Sequence, residues 1–430
     1  MSIQSVKREV FEKSPGKNKA PSHSFAYLGQ GFTKIHKRCV AYEGDYTNEA
    51  YERISPDNGH TWSSWKDVYA NLIKKKEQGE VLWVETPVTG TYNKVHDHYV
   101  SLNMQRLFPH GHHEDYRLLW SGVKGTIDHT YLDISKDLKT WNTPQLVKYE
   151  NGANYDEDNW LDPEYTDKNL AYLGCNLEID SNGDILFPIG ARVDACCKIL
   201  GMDPLNIFPS CPHIANGLIV MRGIWNEQKN QYEFHPSKPV IISDLKSSRG
   251  VDEPTIILLK SGRIVVVFRG ANTDMSAWKT RLAPGTPAHK WYSYSDDGGK
   301  TFTDPVPYPF DNGDLVYSPA SISRFIRSEK NGKAYWIGNV TPADTKGSYP
   351  REPLVMAEVD EKTGVLKKDT YTVIDQRNPE MESERVQLSN FTIFQDRQTN
   401  DLEIYLTKIE ANVKEKFSAD AWKYTITFDE

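Results

Sequence analysis

Arg192, Arg249, Arg269 and Arg351 each fall beside a turn or the end of an apolar run. Glu253, Asp252, Asp45, Tyr317, His98 and Asn176 occupy similar places. These residue types suggest two chemistries. A planar guanidinium grips a carboxylate or sulfate through two parallel hydrogen bonds. Two acidic groups, or a tyrosine activated by a glutamate, can attack and protonate an acetal, which is glycoside hydrolysis. Glu253, Asp45 and Tyr317 would serve there, with Arg269 and Arg351 holding an acidic substituent. The alternative is β-elimination from a uronic acid. An arginine or Asn176 would then neutralise the carboxylate, and His98 or Tyr317 would take and return the proton. A third reading needs no chemistry: Asp252, Glu253 and Asp45 pair with the arginines as an ion-pair network.

Whatever positions these residues must gather them from distant parts of the chain. Six stretches read as β-hairpins, with alternating apolar residues on either side of a turn. They are Gly29 to Asp45, His98 to Gly122, Leu173 to Gly190, Asp252 to Gly270, Ser318 to Asn339 and Leu388 to Thr407. Successive copies start about 70 residues apart, a repeat longer than a blade of about 40–45 residues, with the excess in long loops. "SPDNGHTW" (Ser55 to Trp62) and "SDDGGKTF" (Ser295 to Phe302) write the same Ser-x-Asp-x-Gly-x-Thr-aromatic turn twice, and "SKDLKTW" (Ser135 to Trp141) is a shortened relative. A turn recurring behind successive hairpins predicts an all-β propeller of six four-stranded antiparallel blades, or seven if the first residues or a long loop add strands. In such a ring the starts of the inner strands and the ends of the next strands share one rim. The candidate residues fall there by this reading, with Arg351 on a loop able to reach over. Residues 1–24 are expected to be an N-terminal extension and 25–430 a single propeller domain. Trp65 to Glu80 has helical apolar spacing and predicts a short surface helix.

Composition narrows the partners. With 51 basic and 59 acidic residues the formal net charge is −8, which supports neither a nucleic-acid partner nor an anionic membrane surface. No apolar run reaches about 18 residues. The polar N-terminus has no apolar signal core, so the expectation is a cytoplasmic protein, or a secreted or periplasmic one whose signal peptide was removed. Five cysteines, two of them adjacent, form neither a disulfide framework nor a zinc spacing. No cofactor is expected, although the acidic loop "YDEDNWLDPEYTD" could hold a structural calcium ion. With 11 Trp and 23 Tyr, sugar rings have stacking partners, and Trp83, Trp120, Trp160 and Trp291 are candidates. The expected partner is a glycan or oligosaccharide. A carbohydrate-binding propeller without catalysis remains an alternative.

The two full aspartate turns, "DEPTIILLKSGRIVVVFRG" and "ERISPDNGHTW" resemble the Asp-box, or sialidase-like, β-propeller superfamily, over roughly residue 25 to the end. The resemblance implies three arginines around a substrate carboxylate, a Tyr-Glu nucleophile pair and an Asp acid. Arg269 matches the second arginine, and Arg351 in "YPREPLVMAEVD" resembles the third. Glu253 resembles the glutamate that begins a blade, Tyr317 stands near the nucleophile's place, and Asp45 is the counterpart of the acid. The first arginine has no counterpart, since Gly31-Phe32-Thr33 stand there. The resemblance therefore implies an exo-acting glycosidase for an acidic sugar other than sialic acid, with uronate lyase as the alternative.

Overall fold

The computed structural model describes residues 3–429 apart from 45, 77–78, 124–125, 153–154, 156–160, 167, 274–275, 343–344 and 346. The chain is a six-bladed β-propeller, each blade an antiparallel sheet of four main strands. Three hairpins turn where the sequence supplies glycine. Gly183 and Gly262 stand at φ +83° and +88°, a conformation that costs a residue with a Cβ but not glycine.

The blades fall into two compact units. One covers Asn71–Thr286 and Trp291–Val306 and contains the second, third and fourth blades. Its second blade runs Gly79–Asn93, His98–Phe108, Ile127–Ser135 and Gln145–Leu146. Strand alternation sorts its side chains. Val100, Leu102 and Met104 join Ile185, Phe187 and Ile189 of the third blade in a shared core, while Ser101, Asn103 and Gln105 take the other face. A second core joins Leu218 and Val220 of the third blade to Ile256, Val266 and Phe268 of the fourth. Each such fully buried side chain contributes about 1.5–3 kcal/mol.

The other unit covers Met1–Ala70, Pro287–Lys290 and Pro307–Glu430. In its sixth blade Ile3–Glu12 pairs antiparallel with Ala421–Phe428. The segment expected to be an extension thus supplies that blade's outermost strand, and Ala20–Tyr27 opens the first blade. A buried polar chain ties the two blades together. Arg38 grips Glu12 through Nε and Nη2 at 2.9 and 2.6 Å. Glu12 Oε2 lies 3.1 Å from His23 Nε2, His23 Nδ1 lies 2.9 Å from His36 Nε2, and Arg53 Nε lies 3.1 Å from His36 Nδ1. Arginine can only donate, so His36 Nδ1 accepts and its Nε2 donates to His23. The Arg53 guanidinium also lies over the rings of Trp62 and Trp65 at 4.6 and 4.3 Å. Burial pushes the His36 pKa down to about 2 and also lowers that of His23.

The repeated aspartate turn joins the third and fourth strands of its blade. Asp57 accepts from the Thr61 amide and hydroxyl, each at 2.7 Å, and Ser55 Oγ accepts from the Gly59 amide at 2.7 Å. Asp297, Thr301, Ser295 and Gly299 repeat the pattern. Asn58 then reaches Asp396 of the sixth blade at 3.1 Å, and the Gly298 carbonyl accepts from Arg222 of the third. Each turn is therefore a joint to the neighbouring blade.

Two expectations change. Trp65 to Glu80 is not one helix. It contains a single turn, Tyr69–Leu72, and then the strand Ile73–Lys76, which pairs with Gly79–Leu82. Within His98 to Gly122, the return strand after His98–Phe108 is Ile127–Ser135, and the helix His112–Trp120 fills the gap.

Candidate functional site

In the unit of the second to fourth blades, charged side chains gather where second strands end and first strands begin. Arg106, two residues before the end of its strand, holds Asp128 through Nε and Nη2 at 2.8 and 3.0 Å and donates to the Tyr116 hydroxyl at 3.2 Å. Burial disfavours its charge, but the Asp128 carboxylate more than offsets this and raises the Arg106 pKa. Its guanidinium sits 5.3 Å from the ring centre of Tyr172 on the first strand of the third blade. Tyr172 is half-buried, and its hydroxyl bonds to no described residue. Burial first, then the nearby Glu253 charge, raise the phenol's pKa, so it keeps its proton until a base is brought to bear.

Glu253 opens the fourth blade at a register shift between Asp252 and Thr255. Its φ is +43°, a backbone state that costs a side-chain-bearing residue about 1–3 kcal/mol. The Pro254 carbonyl accepts from the Cys175 amide at 2.8 Å and holds the kink. Arg269 Nη1 donates to Glu253 Oε2 at 2.5 Å. Arg269 Nε is buried, makes no hydrogen bond to a described residue and lies 3.9 Å from Asp252. Asp252 is held 2.9 Å from Arg249, whose guanidinium lies 5.0 Å from the ring centre of the exposed Trp120.

Arg192 differs from the other arginines. It ends the second strand of the third blade, and its Nη1 and Nη2 donate to the carbonyls of Ile214 and Thr126 at 2.8 and 3.3 Å. Among the described residues no carboxylate pairs with it. Burial lowers its pKa, with the charge of Asp128 acting against the shift.

The structure thus brings together Arg192, Arg249, Asp252, Glu253 and Arg269 of the residues singled out from sequence. Asn176 lies nearby, but its amide is spent on Ile256 O, Ile256 N and the Thr255 hydroxyl, at 2.7, 2.9 and 3.0 Å. It clamps the third blade to the fourth rather than facing a ligand. His98 goes elsewhere. It opens its strand, eight residues from Arg106, about 27 Å along an extended chain. There its Nε2 meets the Tyr232 hydroxyl at 2.8 Å and its ring packs on Trp225. Burial pushes its pKa down to about 4. The turn Lys94–Asp97, with Asp97 at φ +52°, is the hairpin that puts His98 there.

Tyr317 and Arg351 belong to the other unit. Tyr317 stacks on His289 with ring centres 4.9 Å apart. Arg351 donates to Gln387 Oε1 and Ser389 Oγ at 2.7 and 3.2 Å. Next to it Glu410 accepts from Tyr349, Gln387 and Arg385, and these groups overcome burial and lower its pKa. Asp45, Trp160 and most of the acidic loop from Tyr155 lie outside the described residues.

Sequence reasoning missed Arg106, Asp128 and Tyr172. Arg106 lies near the end of a second strand, as Arg269 lies at the end of one, and "LAYLG" starts a first strand as "DEP" does; those parallels were the available signal.

No protein-family model matches the sequence, and no curated protein matches it. Comparison of the fold does find relatives. A protein of unknown function from Dyadobacter fermentans is 13% identical, with a TM-score of 0.57 over 99% of this chain and 100% of that one. The NanB sialidase from Streptococcus pneumoniae is 10% identical, with a TM-score of 0.54 over 100% of this chain and 71% of that one. The Trypanosoma rangeli sialidase bound to the inhibitor DANA is 11% identical, with a TM-score of 0.51 over 98% of this chain and 60% of that one. At these identities the likeness is one of fold, that of the sialidase-like β-propellers.

Proposed function

We propose that the chain is an exo-acting glycoside hydrolase that cleaves a glycosidic bond at an acidic sugar. Arg192 carries this reading. A half-buried guanidinium that meets only carbonyls among the described residues keeps its charge and part of its donor fork open, and a uronate carboxylate or a sulfate satisfies both. The sialidase-like fold supports a glycosidase; the acidic sugar rests on Arg192, with Arg249 and the open Nε of Arg269 beside it.

In this reading Glu253, ionised by Arg269, takes the phenolic proton of Tyr172 as that oxygen adds to the anomeric carbon. The departing oxygen takes a proton from an acid, for which Asp45 is the sequence candidate. The deprotonated acid then takes a proton from a water that attacks the anomeric carbon, the sugar–tyrosine bond breaks, and Glu253 returns its proton to the phenolate oxygen of Tyr172. The Arg106–Asp128 pair fixes the Tyr172 ring from its face. The positive-φ backbone of Glu253 aims its carboxylate.

One observation favours a second reading. An uncommitted phenol among arginines also suits β-elimination from a uronate, with Tyr172 returning the proton to the leaving oxygen. That route loses His98, which is buried against Tyr232. A panel of uronate- and sulfate-bearing glycans, read for new reducing ends and for the ultraviolet absorbance of an unsaturated product, tests both. Reducing ends without absorbance support hydrolysis, and both signals together support elimination. Binding without either leaves a carbohydrate-binding propeller.

A further inference from the structure

The second blade has two unlike faces. Val100, Leu102 and Met104 build its apolar core face. Arg106 serves the charged cluster, while its neighbour Gln105 points to the opposite side of the sheet, as strand alternation requires. On that opposite side lies a cavity of about 420 Å³ lined by Trp83, Gln105, Tyr131, Asn71, Lys74 and Pro144 among others. This is within the range of about 300–1,000 Å³ common for small-molecule sites.

Its lining has three parts. The rings of Trp83 and Tyr131 lie 5.6 Å apart at 32°, a nearly continuous aromatic floor. Leu72, Val81 and Pro144 add apolar wall. Around this floor are donors that the fold does not use: the indole N–H of Trp83, the amide of Asn71 and the ammonium of Lys74 bond to no described residue. An apolar floor with a rim of open donors fits a ring that is apolar on its faces and hydroxylated at its edge. The single cation selects a ring that also carries an anionic group. Among the described lining residues there is no carboxylate, so none of them supplies an acid or a base for cleavage.

We infer that this cavity is a second, non-catalytic glycan site, which binds one uronate- or sulfate-bearing sugar ring of an oligosaccharide by stacking it on Trp83 and Tyr131 and pairing its anionic group with Lys74. It stands apart from the chemistry assigned to Arg192 and Glu253, because the sheet separates the two.

The test uses the full chain on an array of uronate-bearing, sulfated and neutral oligosaccharides, followed by titration of the captured glycan. Trp83→Ala is expected to weaken binding about tenfold. Lys74→Glu, a change at an exposed side chain that leaves the fold alone, is expected to weaken binding of acidic glycans by about the same factor and to remove its salt dependence. Arg192→Met is expected to retain this binding while raising the KM of turnover about a hundredfold, so failure of the catalytic reading and failure of this one are separately visible. Three results would overturn the inference: capture of no glycan, affinity unchanged in both Trp83→Ala and Lys74→Glu, or binding abolished by Arg192→Met alone.

Discussion

Two strings of arginine, acid and aromatic side chains run through this protein, and their charges are balanced differently. Between the first and sixth blades, Arg38, Glu12, His23, His36 and Arg53 follow one another at hydrogen-bonding distances, and each guanidinium ends on a carboxylate, an imidazole or an aromatic face. In the unit of the second to fourth blades, Arg106 and Arg269 find carboxylates, but among the described residues Arg192 finds only carbonyls and the Tyr172 hydroxyl finds no hydrogen-bond partner. The residue types are nearly the same. A closed network holds two blades together, whereas an open one keeps hydrogen-bonding capacity for something that arrives from solution.

The sharpest way to break this contrast is to remove the groups held open. Tyr172→Phe and Glu253→Gln are each expected to lower kcat/KM by about a thousandfold or more; Tyr172→Phe leaves the melting temperature nearly unchanged, whereas Glu253→Gln lowers it by taking the close charge partner from buried Arg269. Tyr317→Phe is expected to keep most activity. If Tyr317→Phe is the inactive variant, the nucleophile belongs to the other unit. One substitution made in both strings comes next. Arg192→Met should raise KM about a hundredfold and change stability little, because it removes a half-buried cation that pairs with no described carboxylate. Arg53→Met should leave kinetics alone and cost about 2 kcal/mol in urea unfolding, by orphaning His36 Nδ1. Equal effects on stability would erase the distinction.

A smaller effect should appear with pH. His36 and His23 have folded pKa values below that of a free histidine. Below about pH 6.5 the unfolded chain takes up protons that the folded chain refuses, so stability falls as pH drops, by at most about 1.4 kcal/mol per pH unit for each histidine. The loss for His36 should continue to about pH 2. A flat profile of unfolding free energy between pH 7.5 and 5 would mean the network admits protons. The mildest change expected is Gly299→Ala, where φ +87° and an Ile264 methyl 3.2 Å from the new Cβ should cost about 1–2 kcal/mol, again without a kinetic effect.

How far the sequence could be read follows from what each signal depends on. Ser181 to Asp184, Lys260 to Arg263 and Lys330 to Lys333 announce their hairpins because a tight turn needs particular residues, and that need is local. The aspartate turns were legible for the same reason. Glu253 and Arg269 could be placed because a short hairpin fixes which strand ends share a rim. His98 could not be placed correctly. The turn before it, Lys94-Val95-His96-Asp97, lacks glycine and relies on Asp97 at positive φ, so His98 was read as opening an inner strand rather than a second one. Tyr172 and Arg106 stayed hidden because their environment comes from neighbouring blades, which no local pattern in "LAYLG" or "MQRLFP" records. That Arg192 pairs with no described carboxylate is likewise a property of tertiary packing.

The pairing of Ile3–Glu12 with Ala421–Phe428 also bears on the chain's synthesis. The bond from the Ser14 amide to Asp420 joins residues 406 positions apart. Growing from its N-terminus at about 5–20 residues per second, the chain carries a strand with exposed edges from early in translation until its mate leaves the ribosome. Glu12 cannot settle against His23 and Arg38 before then. The sixth blade thus works as a check on completeness: a message cut short before residue 421 yields a protein whose first strand has nowhere to go and whose histidine network lacks an ordered acid.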